Sequence, residues 1–444
     1  MKNMTTGNPV KLIVGFAIPM LIGNVFQQAY NMVDTIIVGR YLGEKALAGV
    51  GSTGTLIFFT LALIMGLCNG AGLVIAQCFG CNDTKKMGKA VVSLIWVSSI
   101  LTIIVTVLGV FGSRYFLRFL NVPEDVIGYS EAYLRIIYIF IAGSVIYNGA
   151  SSILRSIGDS RTPLITLMVA SILNIGLDLL FILKFDMGVS GAAYATVISQ
   201  FLSAMLCTGY IVRRRREIGL TEMDFGPDWE SLALIFKTGI PSAFQSSMIA
   251  LGGMSVQRLV NSYGASVMAA YVAANRIDSV AIQVIVSIGT ALSVFTGQNM
   301  GRGDFKRIHE ALKKTLVLMI GASVTIALLV LVFRRDLMLI FLDAVDAQET
   351  IEIGATYLSI IGIAYVIAGI MQSYQNVIRG SGDVNTCMIA GLTELAGRIV
   401  FAYLLAHMIG VTGIWIATPI SWGCGCIIPV VRYYSGKWKT KKLI

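Results

Sequence analysis

Val91 to Val110 reads VVSLIWVSSILTIIVTVLGV, twenty residues without a charge. About 20 apolar residues in helical conformation cross the hydrocarbon core of a bilayer. A transmembrane β-barrel would show segments of about ten residues with alternating polarity, and this stretch has no such alternation. It predicts a membrane-spanning helix, and comparable runs recur along all 444 residues. Helices are expected near 10–38, 46–79, 88–112, 127–154, 163–184, 190–212, 232–261, 267–299, 308–333, 352–378, 385–408 and 412–433, twelve in all.

Composition agrees. With 56% hydrophobic residues, 13% charged residues and a mean hydropathy of +0.78, the chain is excluded from the soluble globular class. The net charge of +10 is read as topology and not as a nucleic-acid surface, because the cations cluster beside predicted helix ends. Lys85, Lys86 and Lys89, the run Arg213–Arg216, the group Arg302, Lys306, Arg307, Lys313 and Lys314, and the tail Lys437–Lys442 fall on alternate loops. Glu124, Asp125, Glu131, Asp343, Asp346 and Glu349 fall on the others. The asymmetry places both termini on the cytoplasmic side. Met1 to Pro9 is too short for a secretory signal, so the first helix is expected to be retained. Cys78 with Cys81, and Cys424 with Cys426, lack neighbours to complete a zinc set and read as buried helix cysteines. His309 and His407, the two histidines, offer no histidine-based metal or catalytic centre.

The longest polar stretch, RRRREIGLTEMDFGPDWE at Arg213–Glu230, divides the helices six and six, and the halves align. At an offset of 221, Gly43, Ala48, Gln77, Gly80, Asp83 and Ala90 meet Gly264, Ala269, Gln298, Gly301, Asp304 and Ala311. Pro19 meets Pro241 after a one-residue slip, Arg155, Gly158, Asp159 and Thr162 meet Arg379, Gly382, Asp383 and Thr386, and GVSGAAYAT from Gly188 meets GVTGIWIAT from Gly410. The expected fold is an all-α polytopic membrane protein with two pseudo-symmetric six-helix lobes: 1–213, a cytoplasmic linker 214–230, and 231–444. An even number of spans per repeat gives both the same orientation, about an axis along the membrane normal. Pro19, Pro241 and Pro419 lie inside apolar runs, where each removes a backbone donor and can kink its helix. Gly158–Pro163 reads as a turn followed by a hydroxyl N-cap and a first-turn proline.

Within QQAYNMVDTIIVGRYLG at Gln27–Gly43, Asp34 is a carboxylate inside an apolar segment, a functional-site hypothesis by default. Gln27, Tyr30, Asn31 and Asp34 share one helix face, a polar stripe suited to a watered cavity. Asn174 and Asp178, one turn apart in another apolar run, add a second acid with an amide beside it. The second repeat carries no acid at the matching positions: Asp34 falls opposite Ser255 or Val256, and Asp178 opposite Val400 or Ala402. Two close carboxylates repel, and a proton or Na⁺ would relieve the repulsion.

These motifs give the chain its resemblance to the multidrug and toxic compound extrusion (MATE) transporters. It rests on Pro19–Gly43, QCFGCND at Gln77–Asp83 with its repeat QNMGRGD at Gln298–Asp304, SILRSIGDSRTP at Ser152–Pro163, and SILNIGLDLLFI at Ser171–Ile182. The resemblance implies two six-helix lobes in a V, exporting organic cations in exchange for H⁺ or Na⁺. It is similar to bacterial branches whose N-lobe cation site has an acid on the first helix, an Asn and an Asp on the fifth and a hydroxyl on the sixth, matched here by Asp34, Asn174, Asp178 and Thr196. The carboxylates that other branches place in the seventh and tenth helices are missing.

The second half has charges of its own: Arg276 with Asp278, and Glu394 with Arg398, read first as ion pairs holding helices in register and second as contacts for a cationic substrate. Gln245, Gln372, Gln375 and Asn376 are further cavity-lining candidates. The functional expectation is a monomeric cation-coupled efflux antiporter of the plasma membrane, acting on small, often cationic molecules, with no cofactor beyond the coupling ion and no bound metal other than Na⁺. A lipid-linked precursor flippase of similar plan is the alternative. An intramembrane enzyme is weaker still, since no Ser–His pair, HExxH or paired catalytic Asp motif is found.

Overall fold

The computed structural model describes residues 3–220, 224–342 and 347–444, and among these there is no strand. Asp343 and Asp346, counted above with the acidic loops, lie outside the described residues, as do Thr221, Glu222 and Met223 of the linker. The opening run sits in α3 (Thr84–Phe119), preceded by α1 (Pro9–Leu42) and α2 (Glu44–Gly80). Then come α4 (Glu124–Ile139), α5 (Ala142–Ser156), α6 (Arg161–Leu179), α7 (Gly188–Arg213) and the short α8 (Arg215–Ile218). The second half holds α9 (Trp229–Asn261), α10 (Ala265–Arg302), α11 (Phe305–Val332), the short α12 (Arg334–Leu339), α13 (Gln348–Ser381), α14 (Val384–Ile409) and α15 (Val411–Tyr434). Among the described residues ten helices are long and apolar enough to cross a membrane, eleven if the bent pair α4 and α5 is counted as one span. Helix α9, 33 residues long, stands where the seventh span is expected, at 232–261.

Two expected helices differ in detail. The span expected at 127–154 is broken at Phe140 and Ile141, where α4 and α5 meet at 52°. The span expected at 163–184 leaves α-geometry after Leu179 for a π-turn, Leu180–Lys184. A π-turn accommodates an extra residue within a helix and is often found at functional sites.

The repeat is visible in how helices start. Asp83 Oδ1 accepts from the Lys86 amide at 2.9 Å to cap α3, and Asp304 Oδ1 accepts from the Arg307 amide at 3.0 Å to cap α11. Gly43 and Gly264 precede α2 and α10 at φ 82° and 98°, which side-chain-bearing residues rarely adopt. Helix α6 is capped by a carboxylate and not by the expected hydroxyl: Asp159 Oδ1 accepts from the amides of Arg161 and Thr162, each at 3.0 Å. The Thr162 hydroxyl donates to Asp159 Oδ2 at 2.7 Å. Asp383, the counterpart, instead accepts from Arg432 Nε at 2.5 Å.

The chain forms two compact units, one of Pro19–Ala243, the other of Met4–Ile18 with Phe244–Ile444. Helices α1 and α9 are each divided between the units beside a proline, Pro19 or Pro241. A proline breaks one backbone hydrogen bond, so a helix can change neighbours there. In the first unit α2 and the start of α9 approach so closely that a Cβ on Gly66 would lie 2.4 Å from Ala243, and one on Gly70 2.4 Å from the Gly239 amide. In the second unit the N-terminal segment is tied down: the Met4 amide donates to Gln298 Oε1 at 2.8 Å, and Arg302 to Thr5 Oγ1 at 3.1 Å. The stretch before α9 docks on α3, through Lys89 Nζ to Asp228 Oδ1 at 2.9 Å and Trp96 Nε1 to the Phe225 carbonyl at 3.1 Å. Donors from Ser231 and Lys89 hold the Asp228 carboxyl down at about 2.

All seven cysteines are free. Cys68, Cys78, Cys207 and Cys387 are buried, whereas Cys81 is exposed just past α2 and Cys424 and Cys426 are half-buried. The expectation of buried helix cysteines therefore fails at Cys81, which sits in the turn between α2 and α3.

Candidate functional site

Three helices of the first unit, α1, α6 and α7, converge on one polar cluster. Asp34 comes from α1, Asn174 and Asp178 from successive turns of α6, and Thr196 from α7. The carboxyl groups of Asp34 and Asp178 face each other within hydrogen-bonding reach, yet neither carries a hydrogen to donate when ionised. Asp178 is 0% exposed and Asn174 2%. Asp34 Oδ1, both Asp178 oxygens, both polar atoms of Asn174 and the Ser199 hydroxyl are buried without a protein partner. Buried polar atoms are nearly always paired, so such a cluster is a candidate site. The π-turn Leu180–Lys184 starts two residues beyond Asp178.

Beside the acids lies a cavity of about 150 Å³, its wall including Gln27, Tyr30, Tyr147, Asn174, Thr196 and Ser199. Drug-sized ligand pockets run from about 300 Å³ upward. In this conformation the cavity is of a size for waters and a small ion. Arg155 is on the wall as well, contributed by α5.

The donor set fits a hard monovalent cation or a proton: two carboxylates, an amide oxygen and hydroxyls, without sulfur or imidazole. Among the described residues no group of three or more His, Cys, Asp and Glu could hold a metal ion.

Tyr133 of α4 was missed in the sequence. It is 6% exposed, its hydroxyl lies within reach of Thr196, and it neighbours Tyr30 and both acids. No spacing rule points to it, because α4 reaches the cluster only through tertiary packing. Gln27 and Tyr30 line the cavity, while Asn31 is exposed and off its wall.

The other candidates lie in the second unit, where several side chains bond one another. Arg379 donates to Gln245 Oε1 at 2.7 Å and to Asn376 Oδ1 at 3.4 Å, and Asn376 Nδ2 donates to Gln372 Oε1 at 2.9 Å. The Gln375 side chain is buried nearby on α13. The expected pair Arg276 with Asp278 does not form: Arg276 is exposed, and Asp278 accepts from the hydroxyls of Tyr365 at 2.8 Å and Tyr357 at 3.4 Å. Two residues apart on one helix, Arg276 and Asp278 point to different faces. Glu394 and Arg398 do pair, at 2.8 Å.

Residues 19–180 and 241–404 match the MatE family model, each stretch opening at one of the two junction prolines. The chain belongs to the MATE family. It is 32% identical over 443 residues, 99% of this chain and 98% of the relative, to the "Probable multidrug resistance protein YpnP" of Bacillus subtilis strain 168. It is 24% identical over 414 residues, 91% of this chain and 89% of the relative, to the "Multidrug export protein MepA" of a Staphylococcus saprophyticus strain. A solved structure described as the outward-facing conformation of a multidrug resistance MATE family transporter superposes with a TM-score of 0.91 at 25% identity, covering 99% of both chains. The protein is thus a MATE transporter by family and fold, a multi-pass membrane protein with small-molecule transporters among its relatives.

Proposed function

We propose that this protein is an efflux antiporter that exchanges H⁺ or Na⁺, bound at Asp34 and Asp178, for small amphipathic and often cationic organic molecules. The observation that carries this reading is the facing of two membrane-embedded carboxylates whose buried oxygens have no protein partner. A proton or Na⁺ between them removes a repulsion that is strong at low dielectric. Asn174 and Thr196 supply further oxygens to such an ion, and Tyr133 positions Thr196. Ion binding then favours one arrangement of the transporter over another, by an amount set by its differential affinity for the two. The naming of relatives as multidrug resistance and export proteins supports an organic cargo. The distribution of basic residues supports a plasma-membrane protein with both termini in the cytoplasm. Nothing in this reading requires more than a monomer.

The test is uptake of a fluorescent cationic dye into inverted vesicles under a pH gradient or a Na⁺ gradient, for wild type and Asp34→Asn. Uptake driven by one gradient and lost in the variant is expected. Gradient-driven uptake that survives the substitution in folded protein would refute the assignment of the ion to Asp34.

A further inference from the structure

The repeat gives the second unit a place that corresponds to the acid cavity, and its residues follow from the offsets between the halves. The bent span of α4 and α5 begins at Glu124 and α13 begins at Gln348, and Arg155 on α5 and Arg379 on α13 follow at matching distances, so Tyr133 corresponds to Tyr357. Asp159 and Asp383 precede α6 and α14 at an offset of 224, which we carry through α6 as far as Asp178, before its helix leaves α-geometry. Ala170, Asn174 and Asp178 therefore correspond to Glu394, Arg398 and Ala402. Counted from Pro19 and Pro241, Tyr30 corresponds to Gly252.

Ala170, Asn174 and Tyr30 are walls of the first unit's cavity. At the matching place in the second unit Arg398 lies across the space, its Nη2 donating to Glu394 Oε1 at 2.8 Å. The absent side chain of Gly252 makes room for it, since a Cβ there would lie 3.3 Å from Arg398 Cδ. Arg398 is also within electrostatic range of Asp278, the carboxylate held by Tyr357 and Tyr365. Its Nε is buried without an acceptor, so Glu394 satisfies only part of the guanidinium. The exchange is coupled: a large Tyr with a neutral amide in one unit, no side chain with a long cationic one in the other.

We propose that Arg398 is a tethered cation: it holds, in the second unit's counterpart of the acid cavity, the place an exchangeable cation would take, serving Glu394 and Asp278, so that a chain deprived of it gains a site for a small cation. The ligand class is a compact monovalent cation, with guanidinium the closest chemical mimic and methylammonium and Na⁺ as others. The inference does not depend on Asp34 and Asp178 being the coupling site, and both are silenced in the test.

The experiment takes the full-length protein in detergent with Asp34→Asn and Asp178→Asn as parent. Melting temperature is followed against millimolar guanidinium chloride at constant ionic strength, with choline chloride as replacement salt. Adding Arg398→Ala to the parent is expected to lower the melting temperature, and guanidinium to raise it again saturably, by a few degrees, as site binding requires. The parent, and the parent carrying Arg398→Lys, are expected to show no such rise. With Glu394→Gln added to Arg398→Ala the rise is expected to disappear. A flat response in folded Arg398→Ala protein, or a rise that persists after both Glu394→Gln and Asp278→Asn, overturns the proposal and leaves the pair as a helix lock only. Should Arg398→Ala not fold, Arg398→Gln is titrated in its place. An Arg398→Lys protein that needs added cation as much as the neutral variants do also overturns it.

Discussion

The two units begin their helices alike and fill their interiors differently. Asp83 and Asp304 cap α3 and α11 with the same contact, and Gly43 and Gly264 open α2 and α10 with the same backbone turn. Inside, the first unit gathers two carboxylates and a cavity, whereas the second spans the same place with Arg398 bonded to Glu394. Backbone devices persist through the repeat because every helix needs its first amides satisfied. Interior polar residues are under no such common demand, and a charge there costs free energy unless it is paired or exchanged. The first unit's buried acid oxygens have no partner in the chain, and the second unit's Glu394 has one in Arg398.

The largest effect should come from the acids. Asp178→Asn keeps the shape of the side chain and removes the charge that faces Asp34, so gradient-driven dye uptake is expected to fall to the level of vesicles without the protein. Arg398→Lys, which keeps a tethered cation, is expected to retain uptake. Equal loss in both variants would break the comparison, by showing that the second unit's charge takes part in transport as directly as the first unit's acids do.

Next in size is the stability of the second unit's pair. Its side chains are 14% and 11% exposed. Removing one partner of such a pair strands the other, at about 3–5 kcal/mol, while replacing both with apolar residues of similar volume is close to neutral. Glu394→Ala is therefore expected to lower the unfolding free energy by about that amount, and the Glu394→Met, Arg398→Met double variant to recover most of it. A thermal or denaturant series in detergent on the two variants measures this. A double variant no better than the single would mean that packing against Gly252, and not charge, holds Arg398 in place.

Much of this contrast was legible before the structure, and what was not has identifiable reasons. The spans followed from continuous apolar runs, and Asp34 and Asp178 stood out because an acid in such a run is rare. The repeat told which positions to compare, but the choice between Val400 and Ala402 opposite Asp178 depended on where the slip falls, which the sequence does not mark. Tyr133 was invisible because a tyrosine in an apolar helix is ordinary until its neighbours from other helices are known. The pairing of Arg276 with Asp278 was misjudged from proximity in sequence, which on a helix separates side chains that are two residues apart.

The smallest effect tests the likeness of the units and not their difference. Asp83 and Asp304 each accept one first-turn amide, at 2.9 and 3.0 Å, in turns built the same way. Replacing an N-cap Asp by Ala costs about 1 kcal/mol. The backbone amide it leaves behind can turn to solvent where the helix end is exposed, which limits the loss. Lys86 is exposed and Arg307 is half-buried, its guanidinium donating to the Met4 carbonyl at 3.2 Å. Asp83→Ala should therefore cost about 1 kcal/mol and no more, whereas Asp304→Ala should cost somewhat more, because the same turn also anchors the segment that starts the chain. Hydrogen exchange of the first-turn amides of α3 and α11 in the two variants reads the effect locally. Faster exchange confined to α3 in one, and spreading from α11 to Met4 and Thr5 in the other, is the expected pattern; identical confinement in both would show that the N-terminal segment is held by Gln298 and Arg302 without help from the cap.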